Sequence, residues 1–371
     1  MRTKLAVLAV AAVVLLAGAT SASLSAGAGV SSSAPPSFFG IVPQTVLSEA
    51  DAEFMRAGRI GSVRWPLAWS GVQPTRSGGY VWTGFDEVVE TAARQGLRVL
   101  PFLYSTPSWI SPKFTTLPVN NGRQRSAWVA FLRAAVERYG PRGTFWSEHG
   151  PGSGDPVPRL PLREWQVWNE ANFFYFAKPA SPFRYAKLLK ISNQALKAAD
   201  PGEKTIVSGL FGEPSAKPPN AMLAVDFLED LYGVPGIKSS FDAVALHPYA
   251  ESAADLERMT EEMRQVVLDN HDAGTALYIT EMGWGSQNQP NVVSFEQGTG
   301  FQLSEMRKAY RYLVQNRGRL NLKGTYWFTW KDVAGGCNFC NSTGLFRDSK
   351  RLKPKPAWHA FVGLTGGRAR P

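Results

Sequence analysis

Three stretches decide the fold: Thr205-Ile-Val-Ser-Gly-Leu210, Ala243-Val-Ala-Leu-His247 and Leu277-Tyr-Ile-Thr-Glu281. Each is short and largely apolar, as a strand covered on both faces should be. Working outward, similar runs recur at Phe38–Val42, Ser62–Trp65, Arg98–Tyr104, Glu164–Asn169 and Thr325–Thr329. Helix-like stretches alternate with them: Phe85–Gln95, Arg123–Tyr139, Ser181–Ala199, Ala221–Leu231, Ala254–Asp269 and Gln297–Gln315. Eight strand candidates in this alternation predict a parallel sheet, and eight is the number that closes a barrel. A doubly wound open sheet competes. It usually offers a Gly-rich dinucleotide turn or a phosphate loop, and neither pattern follows any strand here. The expectation is a single-domain (β/α)8 TIM barrel over residues 38–371, with the Gly- and Pro-rich Gly140–Pro161 as a surface loop before the fourth strand.

Composition bounds the rest. The 371 residues are 44% apolar and 19% charged, enough for a sizeable core. Two cysteines exclude a disulfide-dense scaffold and a Cys-rich zinc module. Forty basic against thirty acidic residues leave a net charge of +10. The basic residues are scattered, which suits a solvated surface and weak association with an anionic cell surface better than nucleic-acid binding. Residues 1–28 read as an export signal: Arg2 and Lys4, the apolar run Leu5–Leu16, then small residues with Ala22 and Ala28 as candidate cleavage positions. That run is too short to span a bilayer. Residues 29–37 read as a flexible leader, so the expected product is secreted, with no integral membrane segment after signal removal.

In a barrel, function gathers where strands end. The second run delivers Arg64, the third Tyr104 and then Trp109, the fourth Asn169-Glu170, and the sixth His247-Pro-Tyr249. The seventh delivers Thr280-Glu281 and then Trp284, and the eighth Trp327 and Trp330. Glu170 and Glu281 each end an apolar strand, where a carboxylate is costly to bury without a partner. Two carboxylates framed by aromatic faces are the working parts of a glycosidase. One protonates the leaving oxygen and the other attacks the anomeric carbon or activates water. No H-E-x-x-H or other metal spacing occurs among the four histidines, and no G-x-S-x-G elbow is present, so neither a metal nor a cofactor is expected.

Trp168-Asn169-Glu170 and Thr280-Glu281 resemble the paired signatures of clan A retaining glycoside hydrolases, closest to the family 39 and family 5 cellulase-like group. The resemblance spans about Phe39 to Leu364, with Arg64, Asn169-Glu170, His247-x-Tyr249, Glu281 and a strand-eight Trp in the expected order. It implies a (β/α)8 barrel with Glu170 as general acid/base and Glu281 as nucleophile. Asn169 would bind the substrate 2-hydroxyl, Arg64 and Tyr249 would hold Glu281 ionised with its pKa low, and His247 would line the site near Glu170. Trp330 or Trp327 would form the floor under the sugar. They should face opposite sides, and Trp330 is preferred because it lies nearer the strand end. Tyr104 stands where many family 5 enzymes present a His. Trp109 and Trp284 are further candidates for contact with the sugar. Cys337-Asn-Phe-Cys340 lies in a loop after the last strand, and in an exported protein a small structural disulfide is expected. The carbohydrate would be a β-linked glycan or glycoside. The same carboxylates would also serve a transglycosylase, and an idle carbohydrate-binding barrel is the reading from another class.

Overall fold

Eight parallel strands close into a barrel in chain order: β1 (Phe39–Val42), β2 (Ser62–Ala68), β3 (Arg98–Tyr104), β4 (Glu164–Val167), β5 (Lys204–Phe211), β6 (Ala243–His247), β7 (Ala276–Met282) and β8 (Leu322–Phe328). The computed structural model describes residues 34–288, 294–335, 337, 339–348 and 351–371. The main helices around the barrel are α1 (Glu49–Ala57), α2 (Trp69–Val72), α3 (Thr83–Arg94), α4 (Gly122–Tyr139), α5 (Thr144–Glu148), α6 (Pro182–Ala199), α7 (Ala224–Tyr232), α8 (Ala253–Asp269), α9 (Thr299–Asn316) and α10 (Pro356–Thr365). The expected single-domain (β/α)8 barrel is the observed fold.

Alternation along each strand sorts side chains into two cores. Inside the barrel lie Val42, Leu100, Ile206, Ala243, Ala245, Tyr278 and Tyr326. Tyr326 fills the space that Gly40 leaves, since a Cβ on Gly40 would meet its ring at 2.3 Å. Between sheet and helices lies the larger core, which takes the fully buried tryptophans Trp69, Trp128, Trp165, Trp168, Trp284, Trp327, Trp330 and Trp358. Each such ring removes about 150–250 Å² from water, on the order of 4–6 kcal/mol of transfer free energy. That makes the outer layer, not the mouth, the strongest sink for them.

Several expectations need correction. Helices α1, α2, α5 and α10 lie outside the helix-like stretches read from the sequence. α5 falls inside Gly140–Pro161 and buries Phe145 and Trp146, so that stretch is partly core rather than wholly a surface loop. The leader expected over 29–37 is folded at its end: Ala34 is buried and Pro36–Phe38 forms a 3-10 turn. A Cβ on Gly61 would come within 2.6 Å of the backbone of that turn, so the turn packs directly on the entrance to β2. Residues 29–33 and the expected signal over 1–28 lie outside the described residues. Among the described residues, no helix is long and apolar enough to cross a membrane.

Candidate active site

Arg64 within β2, Gln166 on β4, the turn after β4 and the C-terminal ends of β6 and β7 bring polar side chains into one buried cluster. On β6, Ala243, Ala245 and His247 share the inner face, and Tyr249 follows after a tight turn in which its N–H reaches the His247 carbonyl at 3.0 Å. On β7, strict alternation would let only one of Thr280 and Glu281 face inward. A shift in the β7–β8 register between Ile279 and Met282 lets both do so. On β4, Gln166 points inward, and alternation would send Trp168 after it. Instead Trp168 adopts φ 73° and Glu170 φ 38°. These left-handed conformations cost non-glycine residues on the order of 1–2 kcal/mol each. They turn the Trp168 indole into the outer core, where its Nε1 donates to the Phe176 carbonyl at 2.8 Å, and leave Asn169 and Glu170 in the mouth.

Arg64, fully buried, organises the cluster. Its Nη1 donates to Glu281 Oε1 at 2.6 Å, its Nη2 to Asn169 Oδ1 at 2.5 Å and its Nε to Gln166 Oε1 at 2.6 Å. The Phe102 ring lies under the guanidinium, 4.0 Å from its carbon to the ring centre. A buried charge is tolerable when paired and hydrogen-bonded in this way. Tyr249 donates its hydroxyl to Glu281 Oε2 at 2.8 Å.

The hydrogen-bond chain from Arg64 favours one tautomer of His247. Arginine can only donate, so the Gln166 oxygen faces Arg64 and its Nε2 donates to Thr280 Oγ1 at 3.1 Å and to the Val207 carbonyl at 3.3 Å. Thr280 Oγ1 lies 2.9 Å from His247 Nε2, its other partner, and the arrangement that uses the hydroxyl proton donates it there. That leaves His247 Nδ1–H to donate to Glu170 Oε1 at 2.8 Å. Burial and the Arg64 charge hold the imidazole pKa well below its usual value, which keeps it neutral. Gly209 makes room for the ring: a Cβ there would stand 1.9 Å from His247 Nε2.

Glu170 is 6% exposed and Glu281 8%. One oxygen of each, together with one His247 nitrogen, lies within 4.8 Å of the others. Burial and the Glu281 charge push Glu170 well above the usual carboxylate range, with Arg64 pulling back weakly. Burial raises Glu281 too, against the pull of Arg64 and of the Tyr249 hydrogen bond. This corrects the expectation that these partners keep its pKa low: desolvation outweighs them. The order of ionisation survives, because only Glu281 has a cation and a phenol bonded to it, and so it loses its proton first.

The remaining expected residues divide. Tyr104 lies half-buried at the mouth, beside Phe102 and edge-on to Phe176. Trp109 packs edge-on against Trp69, and its Nε1 donates to the Gln73 carbonyl. Trp284 is fully buried in the outer core, bonded to the Ala250 carbonyl. The strand-eight tryptophans do not form a floor. Trp327 alternates with the inward-facing Tyr326 and Phe328, so it points outward, with its Nε1 on the Thr343 carbonyl at 2.9 Å. Trp330 lies beyond the strand end, and its Nε1 donates to Asp51 at 2.8 Å. Asp51 also closes the capping box of α1 with Ser48. The aromatic that β8 presents to the mouth is Phe328, against Tyr249.

Sequence reasoning missed Gln166, Thr280 as a hydrogen-bond relay, and a set of phenylalanines. Gln166 carries a visible signal: a polar side chain flanked by Trp165 and Val167 within a strand. Phe173-Phe174-Tyr175-Phe176, four aromatics directly after Asn172, were equally visible. Phe339 packs on Tyr249 at 5.2 Å between ring centres, and its loop is closed by a disulfide between Cys337 and Cys340.

Glu170, His247 and Glu281 also form a donor set that a divalent cation could take. The set fits one poorly. Arg64 already places a fixed positive charge 2.6 Å from Glu281, and both His247 nitrogens are engaged.

No family model matches the chain, and no curated protein matches it in sequence. Its structure is similar to that of a family 39 glycoside hydrolase from the gut symbiont Bacteroides cellulosilyticus WH2, with 17% identity and a TM-score of 0.64 over 89% of this chain and 64% of that one. It is also similar to a monomeric β-xylosidase from Caulobacter crescentus CB15, with 17% identity and a TM-score of 0.62 over 88% of this chain and 67% of that one. A GH5_18 enzyme from Bifidobacterium longum subsp. longum matches at 15% identity and a TM-score of 0.62, over 88% and 77%. The chain thus spans about two thirds of the length of these family 39 and xylosidase structures. At such identities the likeness establishes the barrel fold.

Proposed function

We propose that the protein is a retaining glycoside hydrolase acting on a β-linked glycoside by double displacement. One observation carries this reading: two buried carboxylates, one just after β4 and one on β7, hold oxygens within 4.8 Å of each other and have different partners. Retaining enzymes hold their carboxyl groups roughly 5–5.5 Å apart, whereas inverting ones leave about 6.5–9.5 Å for a water. The structural likeness to family 39 and family 5 enzymes supports the same class.

The chemistry follows from the partners. Glu281, ionised beside Arg64 and Tyr249, attacks the anomeric carbon as the C–O bond to the leaving group breaks. Glu170 gives its proton to the departing oxygen. Its Oε1 already accepts from His247, so the proton sits on Oε2. Once Glu281 is esterified its charge is gone, and the pKa of Glu170 falls. Glu170 then takes a proton from water as that water attacks the anomeric carbon and releases Glu281. Asn169 Nδ2, whose oxygen is held by Arg64, is free to meet a sugar hydroxyl.

Azide separates the two roles. Glu281→Ala loses hydrolysis and, with azide added, forms the glycosyl azide of inverted configuration. Glu170→Ala loses on the order of 10²–10⁴-fold of its rate on poor leaving groups, and azide gives the retained glycosyl azide. Full turnover by Glu281→Ala without added nucleophile would refute the assignment.

A further inference from the structure

The glycosidase reading, on which this inference rests, fixes the side of the centre that holds the leaving group: the side of Glu170. Phe173-Phe174-Tyr175-Phe176 lie there, three to six residues beyond Glu170 in the chain. The Phe173 N–H donates to the Glu170 carbonyl at 2.9 Å, which ties the run to the acid/base turn. The run is also fastened to the loop after β5. Phe173 bridges Ala221, Met222 N–H reaches the Asn172 carbonyl at 3.0 Å, and Ala180 N–H reaches the Pro219 carbonyl at 3.0 Å. The rings therefore stand on a fixed backbone. Phe173 stacks on Phe211 at 5.1 Å, and Phe211 approaches Tyr249 at 6.0 Å. Phe176 meets Tyr104 at 6.2 Å. Two aromatic groups thus make up a wall beside the acid/base turn, Tyr104–Phe176 from the end of β3 and Phe173–Phe211–Tyr249 reaching the partner of Glu281, tied together by the Phe176 N–H on the Phe173 carbonyl at 3.0 Å.

This wall is poorly suited to a second sugar. A sugar ring brings several hydroxyls that lose water on binding and need partners. The nearby polar groups are mostly engaged with one another. All three Arg64 nitrogens, both His247 nitrogens and the Tyr249 hydroxyl are bonded within the cluster. Both polar atoms of Asn172 hold the backbone of Phe211 and Met222. A second observation points the same way. Of the seven large apolar side chains exposed among the described residues, all but Leu268 lie in βα loops or at the starts of the following helices: Val46, Val81, Phe114, Tyr175, Phe183 and Leu223. In a barrel that is the face where ligands bind, and Tyr175 is the member of this set that belongs to the run beside Glu170.

We propose that the leaving group taken by this site is apolar, an alkyl or aryl aglycone, rather than another sugar. The test uses the full chain and one sugar, the one released fastest from a panel of methyl and nitrophenyl β-glycosides. Its n-alkyl glycosides from methyl to octyl keep leaving-group basicity nearly constant. kcat/KM should rise by about three- to fourfold per methylene buried until the wall is covered. The disaccharide and trisaccharide of the same sugar should be no better than the methyl glycoside. Comparing the octyl with the phenylethyl glycoside tells a chain from a ring as the preferred occupant. Phe173→Ser, checked for an intact thermal transition, should flatten the alkyl series. A flat series in the unmodified protein, or a preference for the oligosaccharides, overturns the proposal while leaving the glycosidase reading intact. If no glycoside of any length is cleaved, the glycosidase reading has failed and this inference falls with it.

Discussion

Glu170 and Glu281 are the same residue, buried to nearly the same degree, at the ends of strands on facing sides of one barrel. Their surroundings differ by one cation and one phenol. Glu281 accepts from Arg64 and Tyr249, whereas Glu170 accepts from a neutral imidazole. Burial acts on both in the same direction, so desolvation cannot tell them apart. Pairing does, and the charge on Glu281 adds to the difference by pushing the Glu170 pKa further up. Equal burial with unequal pairing gives the two carboxylates unequal tendencies to ionise, because a fully buried guanidinium stands beside one of them only.

Removing that guanidinium should break the comparison most severely. Arg64→Met leaves Glu281 buried without its cation and leaves the Gln166 and Asn169 oxygens without a donor. Breaking a buried pair in this way costs about 3–5 kcal/mol of stability. In whatever protein folds, the pKa of Glu281 rises further, so the acid limb of kcat/KM moves to higher pH. A limb that stays in place in pH–rate profiles would mean that Arg64 does not set the ionisation of Glu281.

Glu170→Gln sharpens the contrast through stability. The folded pKa of Glu170 lies above its unfolded value of about 4.3. Folding therefore favours the protonated form, and that contribution is full below the unfolded pKa and lost as pH rises through the folded one. The native protein should lose about 1.4 kcal/mol per pH unit across that window relative to the variant, which has no proton to lose and still accepts from His247. Denaturant titrations from pH 4 upward should therefore show the variant becoming the more stable of the two. Equal pH dependence would place Glu170 in a solvated state.

Much of this was legible in the chain, and the failures have physical causes. Strand alternation correctly delivers Arg64, His247 and Tyr249, because each lies within a regular strand or just past its end. For the strand-eight tryptophans it excludes one and does not reach the other. Trp327 faces out by parity, and Trp330 lies past the strand, where its direction is set by Asp51, a helix-cap residue far away in sequence. Tryptophan suits a sugar-binding mouth, but the outer core offers it more burial. The mouth was left to phenylalanines, whose role depends on loops such as the one holding Phe339. The sign of the Glu281 shift was out of reach for a related reason: sequence names its partners and says nothing of how completely water is excluded.

The smallest expected effect tests whether the relay through His247 matters for Glu170. Thr280→Val keeps the shape of the side chain and removes the hydroxyl that donates to His247 Nε2. The proton on Nδ1 is then no longer enforced, and the imidazole can instead accept from the Glu170 carboxyl. A hydrogen bond donated to a carboxylate lowers its pKa, so losing it moves the Glu170 pKa up and the alkaline limb of kcat/KM to higher pH. One hydrogen bond of about 1 kcal/mol corresponds to some fivefold in kcat, with KM nearly unchanged. A uniform loss of activity at every pH with no displaced limb would reduce Thr280 to packing. A displaced limb that Thr280→Ser restores would assign its hydroxyl the task of aiming a proton at Glu170.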